Sequence, residues 1–224
     1  IDGLLNTIGG ELAGVSNEVV SSASGAPGTG GGGAGGGDGG GNTDPRGDAA
    51  EVTGCSDIGE TCDDGTVLAG SIFYDGDTYD LFVMKKGDQK TAIGQVLGTE
   101  TNDLNWGPSD RSTGGQDTKD GWANTLAITA TTGAHDAGDA CAGISFGGHD
   151  DWYLPAHEEL LALHDHRLTV GGYGSSQVWA STEMSGTNSA KIVNFGAGTP
   201  NLNVGRVKDS GPLRVRCVRA VARP

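Results

Sequence analysis

The first hydrophobic residues of the chain recur at the spacing of a helix that packs against partner helices. They are Ile1, Leu5, Ile8, Leu12, Val15 and Val19, whose alternating intervals of four and three mark the a and d positions of a heptad repeat. Four glycines interrupt the segment, so an isolated helix would be marginal. We therefore expect residues 1–24 to form an oligomerising helical segment. The alternative is an amphipathic helix that docks on its own domain.

From residue 66 onward, short apolar and β-branched runs predict strands. The predicted strands are residues 66–74, 78–84, 92–97, 178–182, 190–195 and 213–221. The first two flank Asp75-Gly76-Asp77, which predicts a hairpin with glycine in the tight turn. Loops rich in Gly, Asn and Ser separate the later strands, so we expect a looped antiparallel sheet.

Two segments of the same region have helical spacing instead. Residues 122–131 follow Asp120, which is a suitable N-cap. Residues 155–163 begin with Pro155, which suits a first helical turn, and place two glutamates near the positive end of the helix. The whole pattern predicts an α+β fold with two helices and the looped antiparallel sheet.

Glycine divides the chain into segments. Twelve of the seventeen residues 25–41 are glycine without a G-x-y period, which excludes a collagen triple helix. We expect residues 25–47 to be a Gly-rich linker or stalk and residues 48–224 to be a folded knob. The Arg-Gly-Asp triplet at residues 46–48 is expected by chance in a loop of this composition.

The net charge of −15 argues against electrostatic binding of nucleic acid or of an anionic membrane. No run approaches the length of about 18 apolar residues that a membrane-spanning helix needs, so membrane insertion is not expected. Basic residues nevertheless concentrate near the end, at Arg206, Lys208, Arg214, Arg216, Arg219 and Arg223. We expect these arginines to alternate outward on a terminal strand and to pair with the acidic body. The alternative is a local anion site.

The four cysteines, at positions 55, 62, 141 and 217, form no C-x-x-C motif. A structural zinc site is therefore not expected. Four cysteines allow three pairings, and the short Gly-rich span from Cys55 to Cys62 suits a local loop staple. The alternative is four reduced thiols in a cytosolic protein.

Catalytic constellations are sparse. The histidines cluster at His157, His164 and His166, but the H-E-x-x-H motif is absent. No G-x-S-x-G motif or Gly-rich phosphate loop lies between a predicted strand and a predicted helix either. We expect the histidines to lie on a solvated, partly apolar helix face, and we expect no enzyme activity.

Acidic turn residues raise the question of calcium. Carboxylates recur at Asp63-Asp64, Asp75-Gly76-Asp77 with Asp80, and Asp150-Asp151, in turns where calcium is often bound. None of them matches the EF-hand loop, so we expect solvated acids and no cofactor, with a structural calcium ion as the alternative.

Saccharide recognition combines aromatic faces with side-chain amides. The candidate ligand-binding residues are Trp106, Tyr173, Asn188, Asn194, Asn201 and Asn203. Trp152 and Trp179 are assigned to the core instead. The Asn-, Ser-, Thr- and Gly-rich stretch 183–205 is the expected binding surface, because recognition is commonly placed on polar loops carried by a rigid sheet.

Four motifs in order carry a family resemblance. They are HDDWYLP at 149–155, EEL at 158–160, VWAST at 178–182 and VRCVR at 215–219. The set resembles the DUF1566 family, the C-terminal knob of Legionella collagen-like adhesins, over about residues 65–221. Tyr153 and Ala180 depart from the family pattern, which usually has Arg and Ser there.

The resemblance implies a C-type-lectin-like fold and a binding module on a surface or fibre. In similar proteins the positions of Cys141 and Cys217 come together, which leaves Cys55 to pair with Cys62. Disulfides in turn imply an oxidising exterior.

Taken with the heptad segment and the Gly-rich tract, the resemblance predicts an extracellular attachment protein. We expect the receptor-binding tip of an oligomeric fibre or spike that attaches a virion-like particle to a bacterial surface polysaccharide. A trimer is favoured because fibre knobs are commonly trimeric, and an anchor is expected upstream of or around residues 1–24. The alternatives are a bacterial surface adhesin of the same architecture and a structural decoration or capping component of a particle.

Overall fold

The structure, a computed structural model, describes residue 46 and residues 52–186, 188–196, 198–200, 202 and 204–223. All of these residues belong to one unit that spans residues 42–224. The heptad segment 1–24 and the glycine tract 25–41 lie outside the described residues. Arg46 is buried and its guanidinium forms an ion pair of 2.9 Å with Asp120, so the folded unit includes this residue of the segment that we assigned to the linker.

One sheet joins the first hairpin to the last strand. Its antiparallel order is β1 (Val67–Tyr74), β2 (Asp77–Val83) and β8 (Val218–Ala222). The turn residues Asp75 and Gly76 both have positive φ angles, of 50° and 94°, which fit the right-handed twist of a tight hairpin. The predicted hairpin is confirmed.

A second sheet has five strands in the order β3-β7-β4-β5-β6. The strands are β3 (Asp103–Leu104), β4 (Gln177–Glu183), β5 (Ser189–Asn194), β6 (Gly205–Val207) and β7 (Leu213–Arg214). Strands β4 and β7 pair in parallel, whereas the other neighbours are antiparallel. The α+β class is therefore correct, but the expected antiparallel sheet is in fact two sheets with one parallel contact.

The predicted strand 213–221 is divided between these two sheets. Between β7 and β8, the Val215 N–H donates to the Asn102 carbonyl at 2.7 Å. The Gln89 side chain donates to the Val215 carbonyl at 2.8 Å and accepts from the Cys217 N–H at 3.1 Å. Because these partners replace a strand neighbour, the chain leaves one sheet at Arg214 and enters the other at Val218.

Five helices lie within the described residues, where two were expected. They are α1 (Lys86–Leu97), α2 (Gly121–Ala130), α3 (Asp136–Ala142), α4 (His157–Asp165) and α5 (Arg167–Val170). The predicted helices 122–131 and 155–163 correspond to α2 and α4. The predicted strand 92–97 is wrong, because Gln89, Ala92 and Ile93 form one buried helical face of α1.

The starts of the two predicted helices have different caps. The Asp120 carboxylate accepts the Ala123 N–H at 2.8 Å, which confirms the predicted N-cap of α2. Helix α4 starts at His157 rather than at Pro155, and the Glu159 carboxylate accepts the Ala156 N–H at 2.6 Å. Each cap satisfies a backbone donor that the helix leaves unpaired.

Two hydrophobic clusters form most of the core. Trp106, Trp152 and Trp179 lie in one cluster, together with the Cys141–Cys217 disulfide. Tyr153 points into the other cluster and forms an isolated bridge with Val218 of β8. Adjacent residues of the W-Y-L motif therefore face opposite clusters. The structure also contains the Cys55–Cys62 disulfide, so both predicted pairings are confirmed.

Candidate ligand-binding site

A cleft of about 470 Å³ lies between α5 with its following loop and the turn after β5. Its lining residues are Arg167, Leu168, Gly171, Gly172, Tyr173, Gly174, Ser175, Phe195, Gly196 and Gly198. The Tyr173 and Phe195 rings stack with centroids 4.3 Å apart and both are buried. Leu168 is 88% exposed. The cleft therefore combines a buried aromatic pair with walls that are largely glycine.

Glycine makes the first wall possible. Gly171, Gly172 and Gly174 have φ angles of 70°, 82° and 62°, in the left-handed region that other residues rarely adopt. The Gly171 N–H donates to the Arg167 carbonyl at 3.0 Å as α5 ends. The chain then reverses direction within a few residues, and this turn places Tyr173 in the core beside Phe195.

The second wall is held by the polar residue at the end of β5. The Asn194 side-chain oxygen accepts the Gly196 N–H at 3.0 Å, and the Phe195 N–H donates to the Ser176 carbonyl at 3.0 Å. A Cβ atom on Gly196 would lie 3.0 Å from the Ser175 Cβ. The two walls thus touch at Ser175 and Gly196, where a larger side chain at Gly196 would push them apart.

A cation lies against Tyr173. The Arg216 guanidinium carbon is 5.0 Å from the centroid of the Tyr173 ring, within the range of a cation–π contact. Burial raises the pKa of the Tyr173 hydroxyl, and the Arg216 charge partly opposes this rise. Burial also lowers the pKa of Arg216, while Tyr173 counteracts the shift.

The structure places the predicted ligand residues in different environments. Tyr173 lines the cleft and half-buried Asn194 holds one of its walls. Asn188 is exposed but does not line the cleft, and its carbonyl accepts the Lys208 N–H at 3.0 Å. Asn201 and Asn203 lie outside the described residues.

Trp106 does not present a face to solvent. It is fully buried, its indole N–H donates to the Ala180 carbonyl at 2.8 Å, and Lys208 Nζ lies 4.6 Å from its ring centroid. The expectation that Trp106 offers an aromatic platform is therefore wrong. An indole with its N–H satisfied inside the protein is a core residue.

The basic terminal segment is also arranged differently from the prediction. Arg219 is buried and forms two hydrogen bonds with Asp151, of 2.9 and 3.0 Å, while Arg216 is buried against the Tyr173 ring. These two side chains therefore do not alternate outward. Pairing with the acidic body is confirmed at Arg219, at Arg214 with Asp103, and at Arg223 with Asp80.

The histidines of α4 are not a solvated face. His157 and His164 are buried, and burial lowers the pKa of His157 to about 4. Within the residues that the structure describes, no three His, Cys, Asp or Glu side chains come together as a metal site would require. The histidines at the ends of this helix therefore contribute to packing.

The acidic turns considered for calcium engage protein donors. Asp64 accepts the Thr66 N–H at 2.8 Å and lies 3.1 Å from the His149 ring nitrogen. Asp151 and Asp80 pair with arginines, as described above. The absence of a cofactor stays a prediction, with structural calcium as its alternative.

A second cleft, of about 460 Å³, lies near the start of the described chain. Its lining includes Asp57, His166 and the ion pair between Asp80 and Arg223. The Asp80 and Arg223 charges pair with each other, and the residues that line this cleft include no Phe, Tyr or Trp, unlike those of the cleft at Tyr173. The glycine-walled cleft is therefore the stronger candidate.

Comparison with known families decides the relationship. The family of the Lcl C-terminal domain matches residues 96–219, which include all four motifs, helices α2–α5 and strands β3–β7. The chain belongs to the Lcl C-terminal domain family. A search of curated proteins finds no match. The β1–β2 hairpin precedes the matched region, although β8 pairs with it.

Membership in the Lcl C-terminal domain family indicates a bacterial adhesin-like protein of the extracellular surface. Among the helices that the structure describes, none has the length and apolarity needed to cross a membrane.

Sequence reasoning missed several parts of the candidate site in this Lcl C-terminal domain. Phe195, the buried position of Arg216 and the wall glycines were not predicted to act together. The run Gly171-Gly172-Tyr173-Gly174 was an available signal, because an aromatic residue among glycines marks a turn that inserts a ring.

Proposed function

We propose that the chain is an attachment protein whose folded unit binds a saccharide of a bacterial surface in the cleft at Tyr173 and Phe195. The observation that carries this proposal is the cleft itself, in which glycine walls surround a stacked aromatic pair. Three left-handed glycines within four residues keep this part of the cleft wall free of side chains, which leaves room for a ligand.

The lining suits a sugar ring. Glycine walls leave backbone N–H and C=O groups within reach of hydroxyls, and Ser175 adds a short polar side chain. The exposed Leu168 offers an apolar surface for the C–H groups of a sugar. Pockets that bind small polar ligands commonly combine a few polar groups with such apolar contacts.

The architecture supports a C-type-lectin-like knob. The first and last described strands lie in one sheet, and the same folded unit contains helices α2 and α4, of ten and nine residues. The Cys141–Cys217 disulfide joins two positions that are 76 residues apart. With the heptad segment and Gly-rich tract ahead of it, the knob would form the tip of an oligomeric, preferably trimeric, fibre or spike of a virion-like particle. The alternative is an adhesin of the same architecture on a bacterial surface.

The proposal assigns binding rather than catalysis to this chain. It is tested by measuring attachment of the full chain to host cells and to arrayed bacterial glycans. Gly198 lines the cleft, so the indole of Gly198→Trp should block it. The fold can accept the larger side chain, because a Cβ on Gly198 meets nothing within 4 Å. We expect at least a tenfold loss of attachment.

The matched control is Leu126→Trp, which places the same indole at a 49% exposed position of α2. It should attach as the unmodified chain does. Full attachment by Gly198→Trp would move the site away from this cleft. If the unmodified chain binds no glycan and particles lacking it fail to assemble, a structural role is correct instead.

A further inference from the structure

Arg216 is a buried cation that lacks an acidic partner within the described residues. Its side chain is 3% exposed, and its Nε has no hydrogen-bond partner in that part of the chain. The neighbouring Tyr173 hydroxyl is buried against Arg216, but a neutral hydroxyl does not balance the charge of the guanidinium. By contrast, Lys208, Arg214 and Arg219 each face a carboxylate. Because an unpaired buried charge is costly, a lone guanidinium at a cleft indicates an anion that comes from outside the chain.

The guanidinium and the first residue of α1 both border Gly172. A Cβ atom on Gly172 would lie 3.4 and 3.6 Å from the two terminal nitrogens of Arg216 and 3.4 Å from the Cβ of Lys86. The Arg216 nitrogens, the start of α1 and the wall of the cleft therefore meet at one point. Glycine at position 172 leaves that point open.

The start of α1 adds further positive potential. This helix has twelve residues, and its N-cap residue, Lys85, makes no side-chain hydrogen bond to the first turn. The backbone N–H groups of a first turn carry partial positive charge and bind anions. Lys85 and Lys86 are exposed beside them, and Asp88 is the only acidic residue of the turn.

The same helix start is fixed against the Arg216 backbone. Gln89 bonds to the Val215 carbonyl and to the Cys217 N–H, the residues on either side of Arg216. The relative positions of the guanidinium and the helix end are thus set by buried contacts. A ligand group would meet a preformed site.

We propose that Arg216, Lys86 and the first turn of α1 bind a carboxylate of an acidic sugar. This inference rests on the proposed function, since it names the chemical class of the saccharide that enters the adjoining cleft. A planar carboxylate matches the paired terminal nitrogens of a guanidinium, which can donate two parallel hydrogen bonds. In a chain of net charge −15, this local positive group would select the anionic part of the ligand.

The test titrates the full chain separately with glucuronate, glucose and sulfate and measures binding from changes in NMR chemical shifts. Glucuronate should bind at least tenfold more tightly than glucose and more tightly than sulfate. Lys86→Gln should weaken glucuronate binding at least threefold, whereas Asp88→Asn should strengthen it. Arg216→Gln should abolish the preference for glucuronate over glucose. If Arg216→Gln does not fold, the loss of glucuronate affinity in Lys86→Gln still tests the proposal.

The matched control is Lys90→Gln, which removes the same charge from an exposed position of the same helix. An equal loss in Lys86→Gln and Lys90→Gln would overturn the proposal in favour of general electrostatics. Equal affinity for glucose and glucuronate, or tighter binding of sulfate, would also overturn it. If Gly198→Trp abolishes glycan attachment while glucuronate shows no preference, only this inference fails. If free glucuronate binds as expected but no host glycan does, the anion site stands and the proposed function fails.

Discussion

Lys208 and Glu183 form an ion pair in which neither side chain has any exposed surface. Lys208 also donates to the Arg111 carbonyl at 2.7 Å, and Glu183 accepts the Ser112 hydroxyl at 2.8 Å and the Thr113 N–H at 3.0 Å. The pair therefore attaches the loop around residues 111–114 to strand β4. Both charges have polar partners on several sides, as buried ions require.

Removing one member of this pair should be strongly destabilising. Lys208→Met leaves the Glu183 carboxylate buried without its cation, which typically costs about 3–5 kcal/mol of unfolding free energy. Urea denaturation followed by circular dichroism measures the change. Lys90→Met, at a half-exposed lysine 3.9 Å from Glu100, should change stability by less than about 1 kcal/mol. A loss below that level for Lys208→Met would contradict the prediction.

The two disulfides should differ in their contribution to stability. The Cys141–Cys217 bond closes a separation of 76 residues, and the Cys55–Cys62 bond closes one of 7. From loop entropy alone, these bonds restrict the unfolded chain by about 4 and about 2 kcal/mol. Unfolding free energies of the two double Cys→Ser variants test the order. A larger loss for the Cys55/Cys62 variant would show that loop entropy does not dominate.

Gly121 should tolerate no side chain. A Cβ atom there would lie 2.3 Å from a Glu159 carboxylate oxygen and 2.6 Å from the Ala156 nitrogen. We expect Gly121→Ala to lower the thermal midpoint, since both atoms belong to the start of α4. Gly87→Ala makes the same change in α1, where a Cβ meets nothing within 4 Å, and should stabilise the helix by up to about 1 kcal/mol. A loss from Gly87→Ala as large as that from Gly121→Ala would refute the packing argument.

Glu159 should make stability depend on pH. Burial raises the pKa of its carboxyl from 4.5 to about 7, although hydrogen bonds from Tyr153 and the Ala156 N–H oppose the rise. A raised folded-state pKa means that the contribution is complete below pH 4.5 and is lost as pH rises to about 7. We expect the unfolding free energy of the unmodified chain, relative to Glu159→Gln, to fall across this window.

The comparison with Glu159→Gln also removes the effect of His157. The lowered pKa of that histidine, about 4, acts in the opposite direction, because its contribution is present above pH 6.5 and is lost as pH falls toward 4. Both proteins contain His157, so its effect cancels in the difference. A difference that stays constant from pH 4.5 to 7 would show that Glu159 is ionised throughout the window.

The heptad segment should determine oligomeric state. Its apolar stripe needs partner helices to cover it, so deletion of residues 1–24 should lower the molecular mass of the assembly. Multi-angle light scattering of the intact and shortened chains measures this directly. An unchanged number of subunits would assign assembly to the knob.

Local signals predicted much of the fold. The turn at Gly76, the Asp120 cap and the apolar face of α4 are each written within a few residues, and the structure contains all three elements. Helix α1 was missed because a polar residue, Gln89, occupies part of its buried face. Gln89 is buried there because its side chain forms hydrogen bonds with Val215 and Cys217, more than 120 positions away, which no local pattern reveals.

The site was less predictable than the fold for the same reason. Tyr173 and Asn194 were found from residue type, but Phe195 and Arg216 approach Tyr173 through tertiary contacts. Tryptophan is a residue type that often stacks on sugars, and only the hydrogen bond from the Trp106 indole N–H to the Ala180 carbonyl shows that this residue belongs to the core. Burial of single aromatic residues is decided by the whole packing.

The position of strand β8 has a consequence for biosynthesis. Strand β2 pairs with β1 on one side and with β8 on the other, and β8 is the last element of the described chain. A two-stranded hairpin alone is marginally stable in water. During translation, the edge of β2 that faces away from β1 therefore stays unpaired until β8, which ends at Ala222, has left the ribosome. Premature termination shortly before Val218 would release a chain with an exposed edge strand, a substrate for aggregation or proteolysis rather than a shortened adhesin-like domain.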